Sequence, residues 1–246
     1  MAKKVVLGGG SRVFQSQKAA MDFYREILWK YQVDEEVSSE QDFQALVDLI
    51  ENHPESMDKI GVGIAGFFVS SAHMGTRCFY LRRVDESFTD FGIGYAVRGE
   101  RPSVLYEFKE ACRAAVRPSI NKAKRLFFEN YGDEEGRVCC DVTGEMVSQD
   151  ECHIDHKGAL SFNVLVEMFI DANGINVTRD LVSAPSDNQY VAELVDPEMK
   201  KRWIEMHTNS VNRNKSLRIV KKEVNLKLAS SAKIVPSKNP IILEVS

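Results

Sequence analysis

Apolar residues in the first hundred positions recur first at helical and then at strand-like spacing. The helical spacing predicts one helix from Gln17 to Tyr31, capped by Ser16, and a second from Asp42 to Asn52, which His53-Pro54 ends. A short strand from Val5 to Leu7 precedes them. Three apolar runs bounded by turn residues predict strands at about Ile64 to Ser70, Arg77 to Arg83 and Phe88 to Phe91. This order predicts a small α+β module.

The middle of the chain carries a long helical pattern. From Arg101 to Tyr131 apolar residues recur at helical spacing, which predicts a long helix that joins two domains. Pro118 is expected to kink or divide this helix. We therefore predict an α+β chain with one domain at residues 1–100 and another at residues 101–246. At 246 residues, of which 43% are hydrophobic, the chain is long enough for two cores.

The most informative segment is His153-Ile154-Asp155-His156. A neutral imidazole accepts a proton well near pH 7, and a carboxylate binds hard divalent cations. Neighbours on a strand point to opposite faces, so Asp155 and His156 can serve one phosphate only where the strand ends. Lys157-Gly158 permits a turn at that point. Such a string also occurs by chance on solvated hairpins, which is the alternative interpretation.

The flanking segments favour a site. The segment from Cys140 to Glu145 predicts a strand and a Thr-Gly turn, with the His-rich segment as the return strand of that hairpin. Downstream, Ser216 to Val220 is strand-like, and Lys221 to Leu228 has helical spacing. The order of hairpin, insertion, strand and helix resembles the HNH endonucleases of the ββα-metal family. In that family the hairpin carries an Asp-His pair, and the helix returns an Asn or His to the same ion.

The resemblance implies a role for each polar residue of the segment. His156 corresponds to the general base that activates water, Asp155 to one metal ligand and Asn225 to the second ligand on the helix. His153 is a further phosphate or metal contact. The cofactor implied is magnesium or manganese, because one carboxylate and one amide leave most coordination positions to water and phosphate.

One family position has two candidates, and the chain departs from the compact motif in one spacing and in its cysteines. The residue that braces the loop around the base is either His207 or Asn214, and His207 is preferred. Asp155 and Asn225 lie seventy positions apart, so a helical insertion from about residue 159 to 200 must bring its ends together. The adjacent pair Cys139-Cys140 and the distant Cys152 lack the paired spacing of a structural zinc site, and we predict none.

Charge is distributed unevenly along the chain. The formal net charge is −4, but the segment from Lys200 onward holds eleven Lys and Arg against three Glu. Phosphate contacts dominate nucleic-acid affinity, so this end predicts a DNA-binding surface, with a solvated basic tail as the alternative. Double-stranded DNA is the expected partner, and a homodimer is possible in this family. The residues proposed to contact nucleic acid are Arg213, Lys215, Arg218, Lys221, Lys222 and Lys227.

The first domain has a resemblance of its own. Lys59-Ile60-Gly61-Val62-Gly63-Ile64, Thr76-Arg77-Cys78-Phe79 and Arg83-Val84-Asp85 with Asp90-Phe91 occur in the order seen in the domain named for the plant "defective chloroplasts and leaves" (DCL) protein. The resemblance covers roughly residues 4 to 97 and implies a nucleic-acid or protein docking role without catalytic residues. It also raises a rival function, a non-catalytic nucleic-acid-binding or RNA-processing adaptor. RNA as substrate ranks below DNA.

The chain lacks the sequence features of a secreted or membrane protein. Its first ten residues lack the apolar stretch of a signal peptide, and no run of about 18 apolar residues occurs. Five cysteines without a regular framework favour a reducing compartment. The sequence therefore predicts a soluble cytoplasmic protein with no membrane partner.

Overall fold

The structure is a computed structural model of the chain. It describes residues 4–71, 76–183, 192–225 and 239–244. The chain divides into two compact units, with a boundary between Pro102 and Ser103. Each unit has its own hydrophobic core and combines helices with small sheets. The chain is therefore α+β. No helix in these described ranges is long and apolar enough to cross a membrane.

The first unit packs helices on a three-stranded antiparallel sheet of order β3-β4-β5, preceded by the hairpin β1-β2. Its elements are β1 (Val5–Leu7), β2 (Arg12–Phe14), α1 (Gln17–Lys30), α2 (Glu40–Glu51), α3 (Ser56–Ile60), β3 (Ile64–Ser71), β4 (Arg77–Arg83), β5 (Phe88–Phe91) and α4 (Ile93–Arg98).

Local sequence explains these elements well. The Ser16 side chain accepts a hydrogen bond from the Ala19 amide and begins α1, as predicted. Ser39 caps α2 in the same way, so α2 begins two residues before the predicted position. The predicted strands β3, β4 and β5 are confirmed, because alternating side chains such as Phe67 and Val69 fill the core.

The second unit contains two small antiparallel sheets, β6-β7 and β8-β9, and a helical core. Its elements are α5 (Val104–Tyr131), β6 (Val138–Cys139), β7 (Met146–Val147), β8 (Cys152–His156), α6 (Phe162–Ala172), α7 (Pro197–Asn214), β9 (Leu217–Lys221) and α8 (Lys222–Asn225). The predicted strand near residue 217 is confirmed, and the predicted helix after it begins at Lys222. Residues 226–228 of that prediction lie outside the described residues.

Helix α5 corrects one part of a prediction. It continues through Pro118, so the proline does not divide it, and the helix lies in the second unit. Phe108, Cys112 and Val116 are fully buried in the core of that unit. Tertiary packing of this face therefore outweighs the local cost of about 3 kcal/mol that a proline adds to a helix interior.

The predicted hairpin partner of the His-rich strand was also wrong. Gly144 has a left-handed φ of 74°, and its N–H donates to the Cys140 carbonyl, so the chain turns back at once into β7. Strand β8 instead pairs with β9, about sixty residues later. The buried apolar residues Leu217, Ile219 and Val220 give β9 core positions on both faces.

The core of the second unit is organised around Trp203 of α7. Its indole is fully buried, donates a 2.7 Å hydrogen bond from Nε1 to the Cys112 carbonyl, and packs edge-on to Phe162 at 5.9 Å between ring centroids. Burial of a satisfied indole is a large stabilising contribution. This residue therefore ties α7 to α5 and α6.

We predict that Trp203→Ala lowers the free energy of unfolding of the second unit by about 3–5 kcal/mol, because it leaves a cavity and removes the hydrogen bond from the indole to the Cys112 carbonyl. Urea unfolding followed by circular dichroism measures this loss. Trp29→Ala is the matched control, because Trp29 is 66% exposed and packs on the Arg77 guanidinium at 4.8 Å; its expected loss is below about 1 kcal/mol. Equal losses for the two variants would contradict the assigned core.

We predict that the first unit becomes less stable in mild acid because of His53. Burial, with Lys59 acting in the same direction, lowers the pKa of His53 to about 4 from 6.5. Its Nδ1 also accepts a hydrogen bond from the Glu55 amide, which requires the neutral ring. The unfolded chain therefore binds more protons between these values, so the stabilisation is complete above pH 6.5 and is lost as pH falls towards 4.

An NMR titration of the His53 ring protons measures this pKa in the intact chain. A midpoint near 6.5 would contradict the buried neutral ring. His53→Gln should flatten the pH dependence of the unfolding free energy of the first unit.

Candidate functional site

The pairing of β8 with β9 positions the candidate site. The two strands are antiparallel, with Asp155 opposite Arg218 and His156 opposite Leu217. The ladder ends with a 2.7 Å hydrogen bond from the Lys157 amide to the Ser216 carbonyl, and Gly158 turns the chain with a φ of 74°. The strand therefore ends directly after His156, where the sequence placed a turn.

The two faces of β8 have different surroundings. Cys152, Ile154 and His156 alternate onto the core face, and the His156 ring lies edge-on to Phe162 at 5.6 Å. His153 and Asp155 lie on the opposite face. The candidate base and the candidate carboxylate thus lie on opposite faces of β8, next to each other at the end of the strand.

His156 is hydrogen-bonded to His207, with 2.9 Å between the two Nε2 atoms. His207 lies on the buried stripe of α7, four residues after Trp203 and four before Val211. The other candidate, Asn214, is exposed at the end of α7 and donates to the Ser210 carbonyl. Of the two candidates for the bracing position, the structure brings His207 to His156.

Both imidazoles of this pair are neutral near pH 7. Burial lowers the pKa of His156 to about 4, with Asp155 opposing the shift and Arg113 adding to it. Burial, followed by His156, lowers the pKa of His207 to about 3. Only one Nε2 can carry the proton of their shared hydrogen bond. When His156 donates through Nε2, its Nδ1 is the unprotonated nitrogen and can accept a proton.

Asp155 is paired with Arg218. Arg218 donates from Nε and Nη2 to the same carboxylate oxygen, Oδ2, at 2.9 and 2.8 Å. The Arg218 side chain is 3% exposed and that of Asp155 is 27% exposed. This placement revises the expectation that Arg218 is a surface phosphate contact, because its guanidinium is buried against a carboxylate of its own chain.

Asn225 reaches the same face of β8 from α8. Its Nδ2 lies 3.3 Å from Nδ1 of His153, because α8 begins directly after β9. Burial, followed by Lys222 and Lys124, lowers the pKa of His153, and Asp155 opposes the shift. Asn225, His153 and Asp155 therefore share one surface of the small sheet.

The donors on this surface suit a hard cation. In the described ranges there is no cluster of three or more His, Cys, Asp or Glu side chains placed to hold a metal. Oδ1 of Asp155 accepts no hydrogen bond from the described part of the chain, and the Asn225 contact with His153 leaves its amide oxygen available. One carboxylate and one amide oxygen fit magnesium or manganese, which keep several water ligands.

Apart from Arg218, the proposed nucleic-acid contacts fall into three groups. Arg213, Lys215 and Lys222 are exposed, and Lys215 caps α7 in a left-handed conformation with a φ of 48°. Lys221 pairs with Glu145 at 3.0 Å. Lys227 lies outside the described residues. Arg213 lies in the last turn of α7, Lys215 follows that helix, and Lys222 follows β9.

The turn after β6 contributes contacts that the sequence did not predict. Asp141 makes two hydrogen bonds to the backbone of Ile219 in β9, both at 2.8 Å. Its carboxylate accepts from the Ile219 amide, and its own amide donates to the Ile219 carbonyl. The Cys140 sulfur accepts from the amides of Lys221 and Thr143 at 3.4 Å. Burial opposes these hydrogen bonds, which nevertheless lower the pKa of the Cys140 thiol. In the sequence, the pair Cys140-Asp141 before the Thr-Gly turn was the feature that could have indicated these contacts.

Comparisons with known proteins concern part of the chain. A family model described as "Protein of unknown function (DUF3223)" matches residues 25–97. DNA-directed RNA polymerase IV subunit 1 of Arabidopsis thaliana is 34% identical over 76 residues, which are 30% of this chain and 5% of that protein. The chain thus spans about one twentieth of the length of this curated relative.

A solution NMR structure of an uncharacterized protein from Rhodospirillum rubrum is 33% identical and covers 39% of this chain and 92% of its own, with a TM-score of 0.35. The DCL-like part of the sequence resemblance is confirmed by the family match: the chain contains a DUF3223 domain at residues 25–97.

Proposed function

We propose that the second unit is an HNH-type, metal-dependent endonuclease that hydrolyses phosphodiester bonds of DNA. The observation that carries this proposal is the hydrogen bond between His156 and His207 at the end of β8, next to Asp155. A neutral histidine can act as the general base of phosphodiester hydrolysis, and a neighbouring carboxylate can hold the cation that offsets charge on the phosphate. The order of β8, β9 and α8 also agrees with the ββα arrangement, with an insertion between the strands.

His156 is the general base in this proposal. Its Nδ1 takes a proton from water while the water oxygen attacks phosphorus, the bond from phosphorus to the leaving sugar oxygen breaks, and that oxygen takes a proton from solvent. His207 holds the ring through Nε2 and keeps Nδ1 as the acceptor. Burial keeps both rings neutral, which is the state that a base requires before the reaction.

Asp155 and Asn225 would hold the magnesium or manganese ion. The ion would offset the negative charge that builds up on the phosphate and the leaving oxygen. His153, 3.3 Å from Asn225, lies beside these ligands and is suited to contact a phosphate oxygen. The exposed residues Arg213, Lys215 and Lys222 would bind the DNA backbone. The DUF3223 domain would act as the docking module.

Cleavage of supercoiled plasmid tests the proposal. We expect the wild-type chain to nick or linearise plasmid with magnesium or manganese, and to be inactive with EDTA. His156→Ala and His156→Gln should lower the rate by about 10²–10⁴-fold, because each removes the base and keeps the strand. Glu205→Gln, an exposed change two residues from His207, is the control and should keep full activity.

Full activity of both His156 variants would place the base elsewhere. No cleavage by wild type with any metal, on plasmid or on RNA, would favour the non-catalytic adaptor. Circular dichroism of each variant separates loss of chemistry from loss of fold.

Asn225→Ala tests the second ligand. We expect the manganese concentration for half-maximal cleavage to rise about tenfold or more, because the ion loses one protein donor, while plasmid binding without metal is unchanged. Asn209→Ala, at an exposed position of α7, is the matched amide control. A manganese titration that superimposes on that of wild type would mean that the second ligand is another residue.

A further inference from the structure

We infer that Arg218 is the positioning residue of the metal site, and that it acts through Asp155 without contacting DNA. The inference rests on the proposed function and names a role for an arginine that the sequence assigned to phosphate binding. Arg218 directs two donors onto Oδ2 of Asp155. The carboxylate is therefore held by one oxygen and presents the other, Oδ1, to a cation.

The burial of Arg218 stabilises its ion pair with Asp155. Its side chain is 3% exposed, and it lies between the fully buried Leu217 and Ile219 on a strand with core contacts on both faces. Its Nη1 is also buried and has no hydrogen-bond partner in the described part of the chain. Without Asp155 the buried guanidinium would have no acceptor among the described residues, which is strongly unfavourable. The guanidinium therefore stays with Asp155 when a cation arrives.

A hydrogen-bonded carboxylate is suited to hold a metal ion in a fixed orientation. Ligating carboxylates are themselves hydrogen-bonded, and loss of that outer partner typically weakens metal binding 10- to 100-fold. Because both donors converge on Oδ2, rotation of the carboxylate is restricted. Asp155 thus enters the site as a fixed one-oxygen ligand, directly opposite Arg218 in the strand register.

The opposite role, a latch that withholds Asp155 from the cation, predicts a change of opposite sign. A nearby positive charge repels a divalent ion, so removal of a latch would tighten metal binding. Removal of a positioning residue weakens metal binding although the repulsion is also removed. The sign of the change in affinity therefore distinguishes the two roles.

The experiment measures manganese binding by the full chain without DNA, using the electron paramagnetic resonance signal of free Mn²⁺, and plasmid cleavage as a function of manganese. We expect Arg218→Gln to weaken manganese binding by about 10- to 100-fold, and to keep the cleavage rate at saturating manganese within about fivefold of wild type. Arg218→Lys keeps the charge but offers no planar fork, so we expect an intermediate affinity.

Arg137→Gln is the matched control. Arg137 also donates from Nε and Nη2 to one carboxylate oxygen, Oδ2 of Asp133, but this pair is exposed and neither residue belongs to the candidate site. It should leave manganese binding and cleavage unchanged. Where Arg218→Gln does not fold, as judged by circular dichroism, Arg218→Lys decides the question.

Unchanged or tighter manganese binding by the folded Arg218 variants would overturn the positioning role. The absence of manganese binding by wild type would overturn it as well. Manganese binding by wild type that depends on Arg218, without cleavage of any nucleic acid, would support the positioning role and refute the nuclease. Cleavage by wild type, with manganese binding that does not depend on Arg218, would support the nuclease and refute the positioning role.

Discussion

The antiparallel pairing of β8 with β9 is the interaction on which the candidate site depends. Its register sets Asp155 against Arg218 and ends β8 at His156, and α8 follows β9 without a loop and brings Asn225 to His153. A slip of one residue would exchange the two faces of β8 and bury Asp155 in the apolar core. Asp141 and Cys140 bind the free edge of β9 through backbone hydrogen bonds, so both edges of this strand are occupied. The register is therefore fixed from both sides.

The site combines two kinds of buried polar group, each stabilised differently. The imidazoles of His156 and His207 avoid the cost of a buried charge by remaining neutral and sharing a hydrogen bond. Arg218 keeps its charge and needs the Asp155 carboxylate to compensate it. Trp203 and Phe162 form the apolar wall behind the histidines, so packing of the core and orientation of the candidate base rest on the same residues.

The sequence predicted the elements that depend on local residues, but it did not predict the pairing of strands that are distant in the chain. Helices α1 and α2 and strands β3 to β5 follow from caps and apolar periodicity. The candidate residues on β8 and at the start of α8 also follow from short strings. The partner of β8 does not, because pairing across sixty residues leaves no periodic signal and the two-residue strands β6 and β7 are too short to show one. The alternation of polar and apolar residues could not predict that Arg218 is buried. Its apolar neighbours suggest that its side chain faces solvent, but β9 is buried on both faces.

The most direct measurement of the central claim is the effect of Mn²⁺ on the histidine ring protons of the intact chain, followed by NMR. A bound paramagnetic ion broadens the resonances of nearby protons. We predict that the His153 and His156 signals disappear at less than one equivalent of Mn²⁺ in wild type, and that they persist in Asp155→Asn. Signals that stay sharp with excess Mn²⁺, or that broaden equally in Asp155→Asn, would contradict a cation site at the end of β8.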